Sequence, residues 1–108
     1  SLLKINTNPN KSLITVENIG TSPIKNIIFR YAIPTRYEVN LGSLSAIFNN
    51  NDKWNLIAEK IDSNIIFKIS FLPQSNNIPE RKLNIFLEHK KFNIELSNVD
   101  SNLSLNDI

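Results

Sequence analysis

Seven or eight short runs in which apolar and polar residues alternate fill most of this chain. Turn-forming residues break the runs about every 8 to 12 residues. Together these observations predict an all-β chain, an antiparallel immunoglobulin-like β-sandwich of seven to eight strands. At 108 residues the chain reads as one domain, residues 1–108, large enough for a real core. It starts at Ser1 without a methionine, which suggests a domain excised from a longer protein.

The elements follow in order. Leu2 to Asn6 is a short apolar run and a first strand; Thr7-Asn8-Pro9-Asn10 is turn chemistry. Ser12 to Asn18 alternates, with Ile14 and Val16 on one face and Leu13, Thr15 and Glu17 on the other. Asn18 to Pro23 is a loop, because Gly20 is permissive and Pro23 cannot donate to a ladder. Ile24 to Ile33 is the strongest strand. Ile27, Phe29, Tyr31 and Ile33 share one face; Ile28, Arg30 and Ala32 share the other. Pro34 ends it. Tyr37, Val39 and Leu41 mark a third alternating run, and Gly42 to Lys53 reads as mostly loop, with a short strand possible at Ala46-Ile47-Phe48.

Residues 51–61 fit either a strand through Trp54, Leu56 and Ala58 or a helix capped at Asn51 or Asp52. Ile65, Phe67, Ile69 and Phe71 alternate with Ile66, Lys68, Ser70 and Leu72 as a strand. Pro73 to Pro79 is a polar loop. Leu83, Ile85 and Leu87 then alternate with Lys82, Asn84, Phe86 and Glu88. A turn at His89-Lys90-Lys91 leads into Phe92, Ile94 and Leu96, which makes the last two runs a hairpin. Asp100 to Ile108 is a tail or a final edge strand. The predicted core is Ile14, Val16, Ile27, Phe29, Tyr31, Val39, Trp54, Leu56, Phe67, Ile69, Leu83, Ile85, Leu87 and Ile94.

Composition narrows the function. With no cysteine, thiolate nucleophiles, disulfides and Cys-based zinc sites are excluded. Twelve Lys and Arg against ten Asp and Glu leave a net charge of +2, scattered along the chain, so nucleic acid is not an expected partner. The longest apolar runs are three residues, so no direct membrane insertion by a helix is expected. A single histidine, His89, expected in a solvated turn, gives neither a hydrolytic base nor a zinc site. Two glycines make no phosphate loop, and the carboxylates form no calcium cluster. The expectation is a non-enzyme without cofactors. Arg30 and Lys82 stand on polar strand faces. They read either as solvated positions or as a basic platform for an acidic-hydrophobic peptide.

The segment Ile24 to Leu41, IKNIIFRYAIPTRYEVNL, resembles the ear (appendage) domain of gamma-adaptin and of the Golgi-localised, gamma-ear-containing adaptors. That family carries F-x-x-A-V-P-K; this chain has Phe29, Ala32, Ile33 and Pro34, with Thr35 in place of the lysine. The run from Ile65 to Asp100 also looks like the family's closing strands, though Glu80 and Asn84 stand at two of its three alternating cation positions. The resemblance implies a module that binds short peptide motifs of other proteins in vesicle trafficking, in the cytoplasm at trans-Golgi or endosomal membranes. It implies a peptide groove at Ala32, Leu41 and Lys82, with Arg81 as a neighbouring charge. A second family is also similar: the conserved immunoglobulin-like repeat of bacterial surface proteins. Asn18-Ile19-Gly20, Ile33-Pro34, Trp54-Asn55-Leu56 and the run from Ile65 to Leu72 carry that resemblance. It implies a structural or adhesive repeat at the cell surface.

Overall fold

A computed structural model describes residues 2–47 and 56–92. The described strands are β1 (Leu3–Asn8), β2 (Leu13–Asn18), β3 (Ile24–Ala32), β4 (Tyr37–Ile47), β5 (Leu56–Ile61), β6 (Asn64–Leu72) and β7 (Lys82–Lys91). One short helix, α1 (Ile78–Arg81), interrupts the expected polar loop before β7. The strands form two antiparallel sheets, ordered β1-β2-β7-β4 and β3-β6-β5. This is the all-β sandwich that the alternating runs predict.

The strand order carries a twist on the expected pattern. Constant-type immunoglobulin domains order their strands 1-2-5-4 and 3-6-7. Here the split into four and three is the same, but the fifth and seventh strands are exchanged. β7 therefore lies in the middle of the larger sheet, between β2 and β4, with both backbone edges paired.

Turn chemistry sets the hairpins. Between β1 and β2 the chain makes a 3-10 turn over Pro9–Lys11. Asn8 Oδ1 accepts from the Lys11 amide at 3.3 Å, and Ser12 adopts a left-handed φ of 54°. Asp62, also left-handed at 54°, opens the two-residue turn between β5 and β6, a conformation aspartate tolerates.

The core lies between the sheets. Ile14, Val16, Leu83, Ile85 and Leu87 from one sheet meet Ile27, Tyr31, Ile65, Phe67, Ile69 and Leu72 from the other, all buried. Phe29 stacks on Phe67 with ring centroids 5.1 Å apart, but is itself only half-buried. Val39 and Leu56 are half-buried against the same cluster. Trp54 and Ile94, expected in the core, lie outside the described residues.

The structure alters or sharpens the sequence reading at four places. First, β4 is one strand to Ile47 rather than a strand followed by a loop from Gly42. Between the pairs Asn40↔Glu88 and Ser45↔Phe86, β4 has four residues and β7 one, so β4 carries three extra. An odd insertion inverts the facing, so Leu41 and Leu44 both turn inward. Side chains close the bulge: Asn40 Oδ1 accepts from the Gly42 amide at 3.0 Å, and Ser43 Oγ accepts from the Glu88 amide at 2.9 Å.

Second, no turn occurs at His89-Lys90-Lys91; β7 runs through it. Ser12 Oγ accepts the His89 amide at 2.9 Å on one side, and β4 pairs on the other, so the chain stays extended. Of the expected partner strand only Phe92 is described, and it is exposed. Third, residues 56–61 are strand, which settles the described part of the open segment. Fourth, Leu72, which alternation sets on the face opposite Phe67 and Ile69, is fully buried, and Phe71 is half-buried. Asn26 on β3 is left-handed, φ 55°, and both strands change facing at its level. Ile24 and Ile27 then pack inward on β3, as Ile69 and Leu72 do on β6.

Candidate functional site

The outward face of the β3-β6-β5 sheet is unusual for a face that alternation assigns to solvent. Pairing arranges it in rows: Ile28, Lys68, Ile57; then Arg30, Ile66, Glu59; then Ala32, Asn64, Ile61. Ile28 is 64% exposed, Ile57 59% and Ile61 49%. A shallow groove of about 210 Å³ runs along the first row between Asn26 and Ser70, with Lys68 between the two isoleucines. Lys25, exposed at the head of β3, together with Arg30 and Lys68 outweighs Glu59. Among the described residues none of these four joins an ion pair. The face thus offers aliphatic contact beside uncompensated positive charge.

A larger open cleft, about 540 Å³, lies at one end of the sandwich, where the β3–β4 connection meets the β5–β6 turn. Ile33, Pro34 and Thr35 line it, together with Arg36, Glu38, Lys60 and Asp62. Its two cations and two carboxylates balance, so it selects no sign of charge.

The residues expected to form a peptide groove do not share a cleft. Ala32 ends β3 on the outward face, opposite Asn64. Leu41 turns inward against the core. Arg81 is occupied: its Nε donates to Glu17 Oε2 at 2.9 Å and its Nη1 to the Ser75 carbonyl at 3.1 Å. Lys82 begins β7 beside Glu17, in the other sheet and at the other end of the molecule from Ala32. Arg30 and Lys82 consequently form no single platform. The cation that accompanies Arg30 is Lys68. Ile28, Ile57 and Lys68 escape a reading based on motifs. The signal was present: Ile28 and Ile57 are aliphatic at positions where an alternating strand normally places polar residues.

His89 is not solvated in a turn. It is half-buried, with Nδ1 2.7 Å from the Leu87 carbonyl and Nε2 2.7 Å from the Tyr31 hydroxyl. A carbonyl only accepts, so Nδ1 carries the proton and Nε2 of the neutral ring accepts from Tyr31. Tyr37 packs edge-on against the same ring, centroids 5.9 Å apart. Its hydroxyl donates to Asn10 Oδ1. The Tyr31 hydroxyl has its pKa raised, first by burial and then by Tyr37. The imidazole lone pair is therefore already engaged in joining two strands.

Among the described residues no three histidine or acidic side chains gather as metal ligands. No helix among them is long and apolar enough to cross a membrane. Comparison with protein-family models, with curated proteins and with solved structures finds no match to this chain.

Proposed function

We propose that this chain is a non-enzymatic protein-interaction module that takes short acidic-hydrophobic peptides on the outward face of the β3-β6-β5 sheet. The observation that carries this reading is the row Ile28, Lys68, Ile57, two exposed aliphatics around a cation that joins no ion pair among the described residues. An apolar side chain laid in that groove gains desolvation, and a neighbouring carboxylate gains Lys68 and Arg30. The size of the face fits a peptide. Over the six residues that β5 pairs, the three strands, about 4.8 Å apart, cover roughly 14 by 20 Å. That is well short of the surface a stable protein dimer buries, about 800 Å² per partner. The resemblance to adaptor ears supports the same class of ligand. It also supports a place in vesicle trafficking, in the cytoplasm at trans-Golgi or endosomal membranes through a parent protein.

A specific observation favours a second reading, a structural repeat of a surface protein. Asn18 of the Asn18-Ile19-Gly20 motif is fully buried. Its Oδ1 accepts from the Gly20 amide at 2.9 Å, and its Nδ2 reaches the carbonyls of Ser22, Leu72 and Pro73. The motif residues therefore serve the frame of the sandwich, as a repeat requires.

Titration with acidic-aromatic peptides separates the two. The interaction reading expects saturable binding, weakened about tenfold by Lys68→Glu through charge reversal and changed less than about twofold by Lys82→Glu. Absence of saturable binding by the unaltered domain removes the interaction reading and leaves the structural one.

A further inference from the structure

Side chains on one face of a strand recur every second residue, about 7 Å apart. The outward face of β3 and β6 breaks that spacing once. Lys25 pairs with Phe71 and Ile28 with Lys68, three residues apart on each strand, or about 10 Å of strand. The two strands stay in register throughout. The break follows from Asn26, whose φ of 55° lets Ile24 and Ile27 both pack inward, as Leu72 and Ile69 do opposite them. One row of outward side chains is thereby missing between the Lys25 and Phe71 pair and the Ile28 and Lys68 pair. The groove of about 210 Å³ lies against this gap, lined by Asn26 and Ser70 within it and by Ile28, Lys68 and Ile57 beside it. Ile27 and Ile69 line it too, yet they are 5% and 1% exposed, with their side chains in the core. What they present to the groove is main chain.

We infer that this gap is a flat slot for one aromatic side chain of the bound peptide, with acidic residues two positions to either side of that anchor. The inference rests on the peptide-binding reading above and specifies its anchor and its charge spacing. A planar ring lies on the main-chain floor, sets its edge against Ile28 and Ile57, and leaves its upper face to the Lys68 ammonium. A puckered side chain of the same size cannot lie flat there. Charge sets the direction of the peptide. Lys25 stands on one side of the gap and Lys68 and Arg30 on the other, all on β3 and β6, whereas β5 offers Glu59. An acidic peptide therefore runs along β3 and β6 rather than across the sheet toward β5. In an extended peptide the residues two before and two after the anchor share its face, about 7 Å away, within reach of lysine and arginine side chains. The residues next to the anchor turn away from the sheet.

The test uses the unaltered protein and the capped peptide Ser-Glu-Ser-Phe-Ser-Glu-Ser. Two further peptides each change one feature. One replaces phenylalanine by cyclohexylalanine, which keeps the size and apolar character but not the plane. The other, Ser-Ser-Glu-Phe-Glu-Ser-Ser, moves both glutamates next to the anchor. The expected result is saturable binding of the parent peptide and about tenfold loss for each of the other two. Ser70→Leu, which puts a bulky side chain into the groove lining, is expected to weaken the parent peptide about tenfold as well. Equal or tighter binding of the cyclohexylalanine peptide overturns the flat slot. Equal affinity after the glutamates are moved overturns the charge spacing. Unchanged affinity in Ser70→Leu places the anchor elsewhere and overturns the slot too; if that variant does not fold, the peptide series decides alone. In each of these cases Lys68→Glu still decides the face-binding reading separately, and only the failure of every acidic-aromatic peptide removes both.

Discussion

The Tyr31 hydroxyl lies 2.7 Å from His89 Nε2, and that hydrogen bond joins the two sheets, because Tyr31 belongs to β3 and His89 to β7. Tyr31 is only 6% exposed, so the bond is largely shielded from water. Tyr31→Phe keeps the ring and removes the donor, leaving Nε2 without its partner. The expected loss is about 1 kcal/mol in urea unfolding. Alkali provides an independent check. The unfolded tyrosine ionises near 10.0, while burial holds the folded one higher. The folded chain therefore keeps its proton where the unfolded chain loses it. This contribution is complete below pH 10.0 and declines as pH rises through the folded value. Tyr31→Phe should show a shallower decline above that pH.

Asn18 makes the corresponding tie at the opposite end of the sandwich, from β2 to the carbonyls that close β6. Asn18→Ala leaves buried carbonyls without donors and is expected to cost about 2–3 kcal/mol. Asn18→Asp is expected to cost at least as much, because it removes both amide donors and turns a carboxylate toward carbonyl oxygens. Thermal unfolding of the two variants orders them; an Asp variant as stable as the parent contradicts this role.

Left-handed Asn26 sets the facing of β3. A β-branched residue is strained at φ 55°, whereas glycine is not. Asn26→Val should lose about 1–2 kcal/mol and Asn26→Gly much less. Equal losses in both would mean that backbone conformation is not what the position requires.

Much of this fold was legible in the alternation. Ile14, Val16, Ile27, Tyr31, Phe67, Ile69, Leu83, Ile85 and Leu87 were all placed in the core by period two, and all are buried. The period failed where an odd step intervened. Asn26 moves two strands out of phase; asparagine tolerates the left-handed region, but among eighteen asparagines this one does not stand out, and the insertion in β4 makes Gly42 resemble a loop. His89-Lys90-Lys91 has turn composition, yet Ser12 and Tyr31, distant in sequence, hold His89 in a strand. The candidate site was less legible for a related reason. Arg30 was visible as a cation on an open face, but its neighbours Lys68 and Ile57 are set by strand pairing, which alternation within one strand does not encode.

Arg81 illustrates the difference between a cation in the sequence and one available to a ligand. Its partner Glu17 is largely covered, with 13% side-chain exposure against 25% for Arg81. Arg81→Ala should destabilise the domain by about 1 kcal/mol while leaving affinity for acidic-aromatic peptides within about twofold. Chemical denaturation and peptide titration of the same variant check the two halves. A large loss of affinity at unchanged stability would return Arg81 to the binding site.

The most direct measurement is a map of backbone amide shifts, residue by residue, as an acidic-aromatic peptide is added to the isotope-labelled domain. The peptide-binding account predicts saturable changes concentrated at Ile28, Arg30, Ile57 and Lys68, with Leu41, Arg81 and Lys82 nearly still. Changes centred on Arg81 and Lys82, or no saturable change anywhere, would contradict it.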